Sequence, residues 1–393
     1  MFRTAILTAF AAATILVFPA DPVKAQDAAP PAVETTAAEV LLVDGETGTI
    51  LFQKNPDQPF PPASLAKVMT MEIVFGALRS GEISLDTAFP VSEHAWRTGG
   101  APSGTSTMFA ALNSQVPVAD LIRGTIVQAA NDAAIILAEG MEGSEAAFAE
   151  RMNQRAAELG LRDSRFVNPT GLPAEGQQVT VTDLVRLARH MRATYPDLYA
   201  IYAEPSFEWN KIFQRNRNPL LTAGIGADGL GTGYTEASGY ALLGVTEQEG
   251  RVTLLAMSGL ESERERAAEA IKLLRWATES FRQVELFEAG ATIGTTSVFG
   301  GTAGWVPAIA AKPVTVLLPV EAGDRVRARI RYDGPLIAPV AEGDTIAALD
   351  VLVDGQPVLS QELHAGRGTQ AGSFADRALG AMKELAFGWV RAF

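Results

Sequence analysis

The 393-residue sequence contains no cysteine. That absence excludes disulfides, thiol catalysis and cysteine-ligated metal sites, and it leaves the compartment open. Histidine is scarce. His94, His190 and His364 are the only three, and none lies within four residues of another, so the helical two-histidine metal motif is missing. Positive charge is in deficit: 32 Lys and Arg against 45 Asp and Glu give a formal net charge of -13. Such a balance disfavours a polyanionic partner and offers no basic footprint for nucleic acid. The phosphate-cradling G-x-G-x-x-G spacing is absent as well. Gly229-Leu230-Gly231-Thr232-Gly233 is glycine-rich, but no helix pattern follows it, and it reads as the edge of a strand. Nor is there a G-x-S-x-G element to pair with His190, which sits in an apolar helical pattern beside Arg186 and Arg189 and reads as structural. The N-terminal apolar run, 4–18, is too short to cross a bilayer comfortably. It follows Arg3 and precedes the small-x-small triplet Val23-Lys24-Ala25, which predicts a signal peptide over 1–25 cleaved before Gln26.

What is present suits a folded protein: 47% apolar and 20% charged residues, over a length that suggests two domains plus appendages. An Ala/Pro-rich linker over 26–38 leads into short apolar strands at 40–43 and 49–52. Residues 65–78 are apolar on nearly every side, and a helix with no polar face belongs in the middle of a core. Helical patterns recur at 118–127, 132–142, 144–159, 181–193 and 264–281. Strand signals return at 239–245 and 252–258. Strands at both ends of a helical middle predict an α+β domain, 39–282, with one antiparallel sheet and helices packed on it. From 283 to 370 short β-branched runs alternate with Gly and Pro, which predicts a small all-β domain. In 371–393, Phe374, Leu379, Met382, Leu385, Trp389, Val390 and Phe393 gather at helical spacing opposite Asp376, Arg377, Lys383, Glu384 and Arg391. That pattern predicts an amphipathic helix suited to a membrane surface, with docking on the β domain as the alternative.

Ser64 and Lys67 open the buried helix three residues apart, so they share a face and the amine can reach the hydroxyl. Burial lowers a lysine's pKa and lets the neutral amine serve as a base, which a serine nucleophile needs. Ser-x-x-Lys taken alone fits a plain N-cap at Ser64 better. Its setting, directly after Pro61-Pro62-Ala63 and before an all-apolar helix, favours the nucleophile. Asp132 begins another helix and reads as an acidic charge on its dipole.

Pro62-Ala63-Ser64-Leu65-Ala66-Lys67 with Met69-Thr70 resembles the active-serine element of the serine D-alanyl-D-alanine carboxypeptidases, the low-molecular-mass penicillin-binding proteins of peptidase family S11. The resemblance runs on, in the family's order, through Ala95-Trp96-Arg97-Thr98-Gly99-Gly100, Val127-Gln128-Ala129-Ala130-Asn131-Asp132-Ala133 and Phe166-Val167-Asn168-Pro169-Thr170-Gly171-Leu172. It continues through Asn216-Arg217-Asn218 and Asp228-Gly229-Leu230-Gly231-Thr232-Gly233-Tyr234-Thr235. It implies a β-lactamase/transpeptidase-like domain, then a small β domain and a terminal helix. It also implies hydrolysis of peptidoglycan stem pentapeptides with no cofactor, β-lactams as covalent inhibitors, and a periplasmic location peripherally attached to the inner membrane. By this resemblance Ser64 attacks the penultimate D-alanine carbonyl, Lys67 is the base, and Asn131 binds the substrate amide or holds Lys67. Thr232 and Gly233 belong to the third motif, Tyr234 and Ser64 lend backbone N–H groups to an oxyanion hole, and Arg266 helps bind the terminal carboxylate.

Two positions depart from the pattern. The family's second-motif serine is Ala129, and its third-motif lysine is Gly231. A positioned acid–base group commonly contributes about 10²–10⁴-fold, and a charge-assisted contact roughly 1.5–3 kcal/mol. The two replacements leave Ser64 and Lys67 untouched and imply either a weakened carboxypeptidase or a degenerate relative that binds cell-wall peptide without hydrolysing it. A serine β-lactamase is a third reading, against which the β domain and terminal helix argue.

Overall fold

A computed structural model of the chain describes residues 33–320, 323–375, 377–378 and 381. The expected signal peptide, most of the linker and most of the expected terminal helix lie outside the described residues.

The first domain is organised by β1 (Glu39–Asp44) and β2 (Ile50–Lys54). Asp44 shapes the turn between them, its Oδ1 accepting from the Thr47 N–H and hydroxyl at 2.7 Å each. The run Val40-Leu41-Leu42-Val43 is buried on both faces because each face meets a different core. Leu41 and Val43 join the large cluster on one side of the sheet, and Val40 and Leu42 the smaller one on the other. A single 3₁₀ turn, Ala63–Leu65, leads into α1 (Ala66–Ser80), which is sealed on almost all sides. A ribbon of β3 (Ala88–Pro90) and β4 (Gln115–Pro117) then brackets α2 (Glu93–Thr98). Ser92 caps that helix, its Oγ accepting from the Ala95 N–H at 2.9 Å.

The helical middle comprises α3 (Val118–Val127), α4 (Asn131–Glu142), α5 (Glu145–Glu158), α6 (Val181–Thr194) and the single turn α7 (Pro196–Tyr199). A hairpin of β5 (Ser206–Trp209) and β6 (Ile212–Arg215) precedes β7 (Ala227–Thr235), β8 (Gly239–Gln248) and β9 (Arg251–Leu260). The five-stranded antiparallel sheet has the order β2-β1-β9-β8-β7, so strands from both ends of the domain meet at its centre and β7 is an edge. The closing helix α8 (Glu263–Ser280) packs Ala270, Leu273, Leu274 and Ala277 against the face opposite the helical middle.

The second domain begins with β10 (Phe281–Phe287), whose first residue still packs into the first domain's smaller cluster. It continues as β11 (Thr292–Phe299), β12 (Trp305–Ile309), β13 (Val314–Pro319), β14 (Val326–Arg331), β15 (Leu336–Ile337), β16 (Thr345–Val353) and β17 (Gln356–Ala365). Six of these form a sheet ordered β14-β16-β17-β12-β11-β15, and β10 pairs with β13 over a core of Val, Leu and Ala.

Candidate active site

The 3₁₀ turn before α1 presents Ser64 at the mouth of a groove of about 1210 Å³. Lys67 lies beneath it, 4% exposed. Its ammonium donates to Ser64 Oγ at 3.1 Å and to the Thr170 carbonyl at 2.6 Å. Burial foremost, reinforced by the nearby Arg217 cation and opposed by the Asp132 carboxylate, pulls the Lys67 pKa down to about 7. An amine at that value is neutral often enough at physiological pH to take the Ser64 proton.

The block Asn168–Leu172 is the clasp that fixes this lysine. Asn168 Oδ1 accepts from the Thr170 N–H, the Thr170 hydroxyl and the Gly171 N–H, and its Nδ2 donates to the Leu172 carbonyl. The Thr70 hydroxyl on α1 donates to the Pro169 carbonyl at 2.7 Å, locking clasp to helix. Only glycine fits at 171: φ is +79°, and a Cβ there would sit 1.7 Å from the Ala63 oxygen.

Asn131 begins α4 with its side chain in the groove. Its amide donates to Thr105 Oγ1 at 3.0 Å, and no hydrogen bond joins it to Lys67. Its Oδ1 is buried with no partner in the protein. A buried acceptor left unpaired costs about 1–3 kcal/mol, so this oxygen is set to receive a donor from a bound molecule. Asp132, next along, goes beyond the helix-dipole charge expected of it. It is fully buried, and its carboxylate accepts from the Thr107 hydroxyl and from the N–H groups of Met108, Ala110 and Ala133. Burial raises its pKa against those bonds. Its structural task is to hold the 107–110 loop beside Asn131. Ala129 has a positive φ of 54°, as Ala63 has at 49°. Non-glycine residues in that region store of order 1–3 kcal/mol each, and both flank the reacting centre.

The other wall of the groove is β7. Gly233 runs so close to the nucleophile turn that a Cβ there would lie 3.0 Å from the Ala63 Cβ and the Pro62 oxygen and 3.4 Å from the Ser64 nitrogen. Thr232, Gly233 and Tyr234 all line the groove. Tyr234 stacks on Tyr240, ring centroids 4.3 Å apart, and the Arg266 guanidinium lies 5.5 Å from the Tyr240 ring. Arg266 is 6% exposed, burial lowers its pKa, and its Nε is buried without a partner. The structure thus brings Ser64, Asn131, Thr232, Gly233, Tyr234 and Arg266 to one groove, with Lys67 directly behind.

Gly231 lies further along β7, where a Cβ would meet nothing within 4 Å. Sequence reasoning gave no individual part to Thr105, Thr170, Tyr240 or Arg217. Arg217 lines the groove from the loop between β6 and β7, and the only signal for it was its place between two asparagines.

The comparisons with known proteins agree with this arrangement. The D-alanyl-D-alanine carboxypeptidase family, peptidase S11, matches residues 24–259, and the penicillin-binding protein 5 C-terminal domain matches 281–370. D-alanyl-D-alanine carboxypeptidase DacA of Haemophilus influenzae is 35% identical over 333 residues, 84% of each chain. The crystal structure of penicillin-binding protein 5 from Haemophilus influenzae superposes with a TM-score of 0.77 at 34% identity, over 86% of this chain and 99% of that one. Ampicillin-bound penicillin-binding protein D2 from Listeria monocytogenes superposes with a TM-score of 0.55 at 27% identity, over 63% of this chain and 98% of that one. A transpeptidase-like catalytic domain followed by a penicillin-binding-protein-5-type β domain, with the serine and asparagine in one groove and the lysine behind the serine, makes this chain a member of the serine D-alanyl-D-alanine carboxypeptidase family.

Proposed function

We propose that the protein removes the terminal D-alanine from peptidoglycan stem pentapeptides through an acyl-enzyme on Ser64. The observation that carries this reading is the buried Lys67, hydrogen-bonded to Ser64 Oγ and with its pKa lowered to about 7. Ser64 Oγ attacks the penultimate D-alanine carbonyl while the neutral Lys67 amine takes its proton. The backbone N–H groups of Ser64 and Tyr234 receive the developing oxyanion, and Asn131 Oδ1 accepts from a substrate amide. The C–N bond then breaks, the leaving amine takes a proton from Lys67, and D-alanine departs. Water attacks the ester and gives up its proton to Lys67, which passes it to Ser64 Oγ as the acyl C–O bond breaks, freeing the shortened peptide and restoring the neutral amine.

Release of D-alanine from a peptide ending in D-Ala-D-Ala is the test. No release above a Ser64→Ala control overturns the assignment. Ala129 and Gly231 favour a second reading, peptide binding without turnover. Fluorescent penicillin separates the two, since labelling at Ser64 requires a working nucleophile. A β-lactamase activity is supported less, because such enzymes need no second β domain; turnover of a chromogenic cephalosporin would speak for it.

For the location we propose the periplasmic face of the inner membrane. Export by a signal peptide over 1–25, into the periplasm, and peripheral attachment to the inner membrane by an amphipathic helix over 371–393 fit the sequence pattern. Among the described residues no helix is long and apolar enough to cross a membrane.

A further inference from the structure

Alanine at 129 leaves a small space behind the nucleophile. There lies a cavity of about 20 Å³ whose walls include Lys67, Ala129, Tyr202, Asn218 and Thr232. Ser64, Ala129 and Thr232 border the substrate groove as well, so the cavity adjoins both the base and the groove. About 10–15 Å³ of such space is enough for one water molecule, and this cavity takes one.

Its walls carry hydrogen-bonding groups that have nothing to bond. Tyr202 and Asn218 are each 3% exposed, and Tyr202 Oη and Asn218 Nδ2 have no hydrogen-bond partner among the described residues. Leaving such groups unpaired in the interior is costly. Both side chains are held where they are. Asn218 Oδ1 accepts from the Leu220 N–H at 3.0 Å, and the Tyr202 ring packs on Tyr199 with centroids 5.5 Å apart. Burial foremost, with the Glu72 carboxylate adding to it, pushes the Tyr202 phenol upward, so its hydroxyl keeps its proton. The Lys67 ammonium has three N–H bonds and uses two of them, on Ser64 Oγ and the Thr170 carbonyl. Two unpaired polar atoms and an ammonium with one further N–H thus line a space the size of one water. An apolar cavity would stay dry; this one has the partners a water needs.

We propose that this cavity is a water site held by Tyr202 and Asn218, and that its water carries the Lys67 proton to the leaving amine in place of the hydroxyl of the family's second-motif serine. The assignment rests on the carboxypeptidase reading above. The water accepts from Lys67 and from Asn218 Nδ2, donates to Tyr202 Oη, and keeps one O–H toward the groove. As the C–N bond of the tetrahedral intermediate breaks, its electron pair stays on nitrogen. The nitrogen takes that O–H proton, and the Lys67 ammonium replaces it on the water. The amine leaves neutral, and water and Lys67 return to their starting forms. Tyr202 and Asn218 are positioning residues in this step. A serine hydroxyl is fixed by the chain, whereas a water is held by hydrogen bonds alone, so Ala129→Ser still accelerates peptide turnover.

The leaving group supplies the test. An amide nitrogen needs a proton to depart, whereas a thiolate does not. In the full-length protein, kcat/KM, which reports acylation, is measured for a peptide ending in D-Ala-D-Ala and for its thioester analogue, with sulfur replacing the terminal D-alanine nitrogen. Tyr202→Phe keeps the ring in the core and removes the hydroxyl. It should lower kcat/KM for the peptide about threefold to tenfold, the net worth of one hydrogen bond, and leave the thioester value unchanged. In an Ala129→Ser background, where the serine hydroxyl takes the place of the water, the same change should leave the peptide reaction unaltered. Loss by an equal factor on both substrates would make Tyr202 merely structural and overturn the proposal. So would a Tyr202→Phe enzyme unaltered on the peptide, or an undiminished loss in the Ala129→Ser background. Any unfolded fraction scales both substrates alike, so the peptide-to-thioester ratio decides even if the variant loses stability. A wild-type protein that cleaves the thioester and not the peptide has a working Ser64 without a relay, and overturns this assignment alone. One that cleaves neither overturns the carboxypeptidase reading and this assignment with it.

Discussion

At the scale of single residues, Lys67 sets the pH dependence. Its pKa in the folded protein is lowered to about 7, so below that value the amine is protonated and cannot accept the Ser64 proton. Acylation by a fluorescent penicillin should therefore rise with pH through about 7 and level off above it. A rate flat from pH 5.5 to 8.5 would remove Lys67 as the base. Lys67→Arg should abolish the rise and nearly all of the rate, because a guanidinium stays charged throughout. Ala129 gives a second prediction. Serine tolerates its backbone, φ 54°, no worse than alanine does, and Ala129→Ser returns a hydroxyl beside Lys67. Turnover of a D-Ala-D-Ala peptide should rise on the order of tenfold to a hundredfold. An unchanged kcat would show that another group already moves that proton.

At the scale of elements, the clasp over Asn168–Leu172 and the edge strand β7 hold the site to its geometry. Gly171→Ala would drive a Cβ into the Ala63 carbonyl at an unfavourable positive φ. It should cost about 3 kcal/mol or more in thermal unfolding and withdraw the Thr170 carbonyl from Lys67. A variant with wild-type Tm and acylation would refute the clasp. These elements differ in how far the sequence discloses them. The helices at 118–127 and 181–193 and the sealed helix over 65–78 announce themselves by period and burial, and α3, α6 and α1 occupy those places. Strand patterns at both ends of the domain likewise foretell the shared sheet. By contrast α2 has six residues and the β5–β6 strands four each, too short to establish a period. Asp132 reads locally as a helix-start charge, since nothing nearby in sequence reveals that the 107–110 loop folds onto it. Thr105 and Arg217 arrive from loops without periodicity, so only the tertiary fold discloses their proximity to Ser64.

At the scale of the whole molecule, the terminal segment is the feature to test. Arg377, Lys383 and Arg391 against Asp376 and Glu384 leave 371–393 a net charge of only +1. If the segment binds a membrane as proposed, burial of its apolar residues outweighs attraction to anionic lipid, and binding should survive moderate salt. Liposome co-sedimentation of the mature protein, with and without the residues after Gly372, measures this. Equal sedimentation of both forms would leave a helix docked on the β domain, with catalysis unaffected because Ser64 and Lys67 belong to the other domain.

The pairing of β1 with β9 has a consequence for how the chain reaches this state. Glu39 and Ser258 sit side by side in the sheet although 219 residues separate them in sequence. The central ladder of the catalytic domain therefore cannot close until the last strand has been delivered. A growing chain holds only helices and hairpins until then, and loop-closure entropy must be met before the sheet repays it. The fold is slow to commit by construction. A chain exported unfolded, as proposed above for this one, would gain time from that delay. One truncated before residue 251 lacks β9 altogether, and β1 then has no partner on its inner side.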